Sequence, residues 1–131
     1  MRSAPAFAAL AVIAVLAGCA TPTPAGQVAL SGLVATSDGS AMPVGAQVLI
    51  RLEEQAIADT DARQIATATI DADGKGEAKF RLLAPSDDLG KAVSPGWRVR
   101  VQKDGRLLFT NDTRHPFEPG KAARIIVVPV P

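Results

Sequence analysis

From residue 28 onward, apolar and polar residues alternate with a period of two, the spacing of strands that bury one face and wet the other. In the first run Val28, Leu30, Gly32 and Val34 fall on one side. In the second, Ala46, Val48, Ile50 and Leu52 point inward and Gln47, Arg51 and Glu53 outward. Turn chemistry separates the two at Ser37-Asp38-Gly39-Ser40 and Met42-Pro43. Residues 63–70 carry the β-branched Ile65, Thr67, Thr69 and Ile70 and predict a third strand. The polar, Ala-rich residues 53–62 before it read as a loop, with a short helical turn as the other option. Over residues 76–83 Ala78, Phe80 and Leu82 oppose Lys79 and Arg81, and further on Trp97, Val99 and Val101 oppose Arg98, Arg100 and Gln102. The Asp104-Gly105 pair between this strand and Leu107-Leu108-Phe109-Thr110 is a strong hairpin signal. Ile125 to Val128 is apolar on both sides, as in a covered strand, and ends at Pro129-Val130-Pro131. The pattern predicts an all-β fold, a single antiparallel β-sandwich of about seven strands, immunoglobulin-like or transthyretin-like.

The segment before residue 28 has a different character. Met1-Arg2-Ser3 gives a positive start, and residues 6–16 form an apolar run too short for a permanent membrane span. The run ends in Leu16-Ala17-Gly18-Cys19, which matches the bacterial lipobox. The match implies a lipoprotein signal peptide over residues 1–18, cleavage before Cys19, and a diacylglyceryl group on the Cys19 sulfur. Two or more acyl chains turn reversible membrane contact into stable anchoring. Ala20 stands where an inner-membrane retention signal would have aspartate, so the sorting rule points to the outer membrane. Residues 19–27 then comprise the lipidated cysteine and a proline-bearing linker, which at about 3.1 Å per residue holds the domain, residues 28–131, roughly 20 Å from the lipid.

Charge and composition narrow the chemistry. The chain has 131 residues, a single domain's length. Without Arg2 it carries 13 basic and 13 acidic residues, so bulk attraction to nucleic acid is not expected. Cys19 is the only cysteine and His115 the only histidine, and there is no tyrosine. An internal disulfide and a multi-histidine metal site are thereby excluded, and acid/base schemes are weakened. Asp71-Ala72-Asp73-Gly74-Lys75-Gly76-Glu77 superficially suggests a calcium loop. Aligning Gly74 with that loop's glycine, however, puts Thr69 at the first ligand and Phe80 at the last, so a turn is expected. No serine lies in a Gly-x-Ser-x-Gly elbow, and His115 sits in a proline-flanked loop where solvation is expected. The chain is therefore not expected to be an enzyme, and no cofactor or metal is implied. Lys79, Arg81, Arg98 and Arg100 would form a basic face for an anionic partner such as lipopolysaccharide if their strands were neighbours. Otherwise they are the solvated side of a sheet. Trp97 reads as core.

At Gly105-Arg106-Leu107-Leu108-Phe109-Thr110-Asn111-Asp112-Thr113, followed by His115-Pro116-Phe117, the sequence resembles the YbaY-like lipoproteins, grouped with the YscW-type lipoprotein chaperones, or pilotins, of type III secretion. The strand Leu30-Ser31-Gly32-Leu33-Val34, the proline-led segment from Met42 to Glu53 and Ala58-Asp59-Thr60-Asp61-Ala62 agree with it, as does the lipobox placement. The resemblance covers residues 30–130. It departs at Gly90-Lys91-Ala92-Val93-Ser94-Pro95, where the family carries an acidic loop. Within the motif Leu108, Phe109, Thr110, Asn111, Asp112 and Thr113, Phe109 is expected to fill the core while Asp112 and Thr113 satisfy backbone groups at a structural corner. The resemblance implies a non-catalytic chaperone that is held at the outer membrane by its lipid and binds an envelope client such as the terminal segment of a secretin subunit. Client pairing is expected at an exposed edge near residues 28–34. The alternative is an envelope-stabilising or polysaccharide-contacting lipoprotein without a protein client.

Overall fold

A computed structural model of the chain describes residues 23–55 and 63–131. The signal segment, the lipobox, Cys19 and most of the 53–62 loop lie outside these residues. Eight strands and one short helix follow in the order β1 (Gln27–Thr36), β2 (Gln47–Glu54), β3 (Arg63–Asp71), β4 (Glu77–Pro85), α1 (Ser86–Lys91), β5 (Pro95–Lys103), β6 (Arg106–Thr110), β7 (His115–Pro116) and β8 (Ala123–Pro129).

The expected all-β class is found, but the sandwich is not. The strands form one sheet in the order β3-β2-β5-β6-β8-β1-β4, with β7 paired to β5. It curls into a nearly closed, barrel-like structure, with β3 and β4 meeting at the seam without a ladder between them. The cause lies in β8, which pairs with β6 through Phe109↔Pro129 and Thr110↔Val128 and with β1 through Gly32↔Ala123 to Thr36↔Val127. A strand shared in this way stitches two would-be layers into one. The β1–β8 pairing is parallel, so the sheet is not purely antiparallel either.

Period-two alternation does most of the remaining work. Val48, Ile50 and Leu52 of β2, Val99 and Val101 of β5, and Ile125 and Val127 of β8 are fully buried and share one core with Val34, Phe80, Leu82 and Trp97. Trp97 takes Phe80 edge-on at 5.3 Å and 66°, a preferred geometry for the ring quadrupole. Gly32 makes this possible, since a Cβ there would stand 2.7 Å from the Phe80 ring and from the Ala123 carbonyl oxygen. Among the described residues the core draws on residues 30–127. The Asp104-Gly105 turn has both residues at positive φ, 52° and 77°, the geometry that matches the twist of the β5–β6 hairpin.

Glu53 departs from the sequence reading in its burial and not in its direction. The β2–β5 register runs unbroken through Arg51↔Arg98 and Glu53↔Gly96, so the Glu53 side chain stays on the Arg51 face of the strand, yet it is only 2% exposed. Its carboxylate accepts a hydrogen bond from Arg98 Nε at 2.8 Å. Arg98 is thus the cover of a buried charge and not a free surface cation. Arg98→Ala strands that carboxylate and is expected to lower stability by about 1–3 kcal/mol, read from the urea midpoint. In a Glu53→Gln background the same substitution should cost less than half as much.

Candidate functional site: an apolar groove beside the first strand

The β8 ladder begins at Gly32 and leaves residues 27–31 of β1 with β4 on one side and no paired strand on the other among the described residues. Residues 117–122 stand where a continued β8 would run, turned away by Pro119 and by Gly120 at φ 75°. At this end the barrel wall is missing, so the inward side chains Val28 and Leu30 line an opening. β1 is accordingly no free edge over its whole length, as the sequence suggested. Leu33 and its neighbours are interior, and only the first half is open.

The far wall is α1 and the loop after it, which the alternating pattern did not signal. Six residues are too few for helical periodicity to show. Asp87 and Asp88 in the first turn and Lys91 in the last favour the helix dipole. The Ala92 N–H closes on the Leu89 carbonyl at 3.3 Å. Glu54 fixes the loop from below, its carboxylate accepting the Val93 and Ser94 N–H groups, the latter at 2.8 Å. Ser86 ties the start of the helix to the start of β1, donating from both N–H and Oγ to the Gly26 carbonyl at 2.9 Å. Below, Phe117 donates its N–H to the Pro95 carbonyl at 2.9 Å and sets its ring against Trp97 at 6.2 Å. The resulting groove is open and about 500 Å³ in volume. Val28, Leu30, Leu89, Ala92, Phe117 and Pro119 line it, with Ser86 the only polar side chain among the described residues. No titratable group among the described residues lines it, and such a lining suits apolar side chains.

A second cleft, about 450 Å³, lies at the β3–β4 seam and is polar, with Asp71, Asp73, Lys75, Glu77 and Lys79 around it. The sequence Asp71 to Glu77 forms the turn expected there, with the Lys75 N–H donating to Asp73 Oδ1 at 3.3 Å. Among the described residues no three side chains of metal-ligating type come together.

The 108–113 motif lies away from the groove and is structural. Phe109 is buried, at 7% exposure, and Leu108 packs against the core. Thr110 Oγ1 donates to the Val99 carbonyl at 3.1 Å. Asn111 accepts the Val99 N–H on Oδ1 and donates Nδ2 to the Trp97 carbonyl, both at 2.9 Å. It does the work assigned from sequence to Asp112 and Thr113, which are exposed. Asn111 extends the β5 ladder past the end of β6, a role that a sequence pattern does not distinguish from an ordinary turn residue. His115 is half-buried in β7 opposite Trp97, not solvated. The basic face also dissolves, because β4, which carries Lys79 and Arg81, is not a neighbour of β5, which carries Arg98 and Arg100.

With this geometry in hand, two comparisons are informative. The family model for the type III secretion system lipoprotein chaperone (YscW) matches residues 25–127. An alternative pilotin from the type II secretion system of Vibrio cholerae has a similar structure, with a TM-score of 0.70 and 23% identity, over 79% of this chain and 97% of that one. No curated protein matches the chain in sequence. At that identity the structural likeness speaks for the fold, and the groove and both of its walls fall within the residues matched by the family.

Proposed function

The chain belongs to the YscW family of type III secretion lipoprotein chaperones, and from that membership we propose that it is a non-catalytic, pilotin-like lipoprotein that holds an apolar segment of a secretin subunit in the groove beside β1. Lipid on Cys19 would carry the complex to the outer membrane. The observation that supports this most is the groove itself, an open apolar trough with no titratable side chain among the described residues that line it, on the strand that the lipidated linker leads into. Such a trough suits the apolar face of a docking segment. Among the described residues no helix is long and apolar enough to cross a membrane, so attachment in this reading falls to the acyl chains.

The test is in-cell photocrosslinking from a benzoyl-phenylalanine placed at Phe117, with the exposed Thr67 of β3, outside the groove lining, as control. A secretin adduct from position 117 and none from 67 is the expected result. Leu89→Asp puts a charge on the groove wall and should reduce capture at least tenfold while changing unfolding free energy by no more than about 1 kcal/mol. Cys19→Ser should abolish acylation and outer-membrane fractionation. Adducts of equal yield from both positions, or full capture by Leu89→Asp, would discard the groove as the client site.

A further inference from the structure

The two ladders of β1 bring together a face that no single stretch of sequence displays. Leu33 is paired with Lys79 of β4 on one side and Arg124 of β8 on the other. Ser31 pairs with Arg81, Ala29 with Leu83, and Ala35 with Ile126. Apart from Ala35, which is covered at 4% exposure, these side chains lie on the outside of the barrel, since their sequence neighbours Val34, Phe80, Leu82 and Ile125 are buried. The face thus presents three exposed cations set among Leu33, Leu83 and Ile126, the last two 36% and 38% exposed. Glu77 is the only acid on these rows; with Asp71 and Asp73 it borders the cleft at the Lys79 end of the face, while Arg81 and Arg124 do not line that cleft. None of the three cations has an ion-pair partner among the described residues, in contrast to Arg98 with Glu53.

We propose that this outer face of β4, β1 and β8 docks on anionic phospholipid headgroups, with Lys79, Arg81 and Arg124 on the phosphates and Leu33, Leu83 and Ile126 at the headgroup boundary. Two arguments select a lipid surface as the occupant. The first is charge complementarity, because three unpaired cations near an anionic leaflet give an enrichment on the order of a hundredfold. The second is reach. Cys19 lies eight residues before Gln27, about 25 Å of chain at full stretch. A domain of this size has a radius of gyration of about 13 Å, so the tether is no longer than the body it holds and keeps β1, the middle strand of the face, at the surface. The groove uses the even-numbered side chains of β1, Val28 and Leu30, on the other side of the strand, so docking leaves it open. The orientation rests on lipid attachment at Cys19, but the test need not.

Cys19 is the only thiol, so the full chain can be coupled through it to a maleimide-bearing lipid in vesicles whether or not cells acylate it. Acetylation of lysines is then followed by mass spectrometry on phosphatidylethanolamine vesicles with about 30% phosphatidylglycerol and on pure phosphatidylcholine. Lys79 should react at least threefold more slowly on the anionic vesicles. Lys103, which sits at the β5–β6 turn, should be unchanged. The double variant Arg81→Glu/Arg124→Glu, both positions exposed, should abolish the protection, as should 0.5 M salt. Lys79 reacting as fast on anionic as on neutral vesicles, equal protection of Lys79 and Lys103, or protection that survives charge reversal would overturn the proposal and leave the client groove standing.

Discussion

Phe80→Ala should lower the unfolding free energy by about 3–5 kcal/mol, the usual cost of emptying a buried phenylalanine site. Phe80 is 4% exposed, pairs edge-on with Trp97, and fills the space that Gly32 leaves for it. Around it Leu82, Trp97 and Ile125 are held by ladders on several strands, so the walls have little freedom to collapse into the hole. Against a typical total of about 5–15 kcal/mol, this is a loss that chemical denaturation reads directly. A cost below about 1 kcal/mol would mean that the ring is not where the barrel closes.

Leu33→Pro is expected to be nearly as damaging, for a reason that lies in the backbone. The Ser37 N–H donates to the Val127 carbonyl at 2.8 Å, and the Thr36 N–H to Gly76 on the opposite side at 2.9 Å. Alternation therefore puts the N–H of every odd residue of β1 toward β8. At Leu33 that side is occupied, and proline both removes a ladder bond and crowds the neighbouring strand, costing about 3 kcal/mol or more. At Ala29 the same side has no paired strand, so Ala29→Pro should cost under about 1 kcal/mol. Similar denaturation midpoints for the two variants would refute the split of β1 into a covered half and an open half.

Which of these features were legible in the sequence follows from how local their causes are. Inward Val48, Ile50, Leu52, Val99 and Val101, and the Asp104-Gly105 hairpin, follow from period-two alternation and turn chemistry, and each was found as expected. The YscW resemblance rested on ordered segments of sequence, and the family match bears it out. What the sequence concealed depends on partners distant along the chain. No pattern within residues 123–129 shows that β8 has β1 on one side and β6 on the other, yet that is the difference between a sandwich and a nearly closed barrel. Glu53 reads as solvated because its cover, Arg98, comes from β5, 45 residues away along the chain. An exposed edge over residues 28–34 was expected from sequence and is open only up to Ser31 among the described residues; the groove beside it was not anticipated, because neither α1 nor the loop that Glu54 pins was read from the pattern. Lys79, Arg81 and Arg124 could not be grouped before the β1–β4 and β1–β8 registers were known.

The parallel pairing of Gly32 with Ala123 also sets the order in which the molecule can come into being. A chain emerges from the ribosome N-terminus first, and β4 can reach β1 once residue 85 is out. β1 then waits with its other side bare until the last strand arrives, some ninety residues after it. Loop closure over that separation is slow compared with hairpin formation, so the β2–β3 and β5–β6 hairpins form while the interior is still unsealed. The final seven-residue strand acts as a latch, and a chain interrupted before Ala123 retains its hairpins while its apolar side stays exposed to solvent.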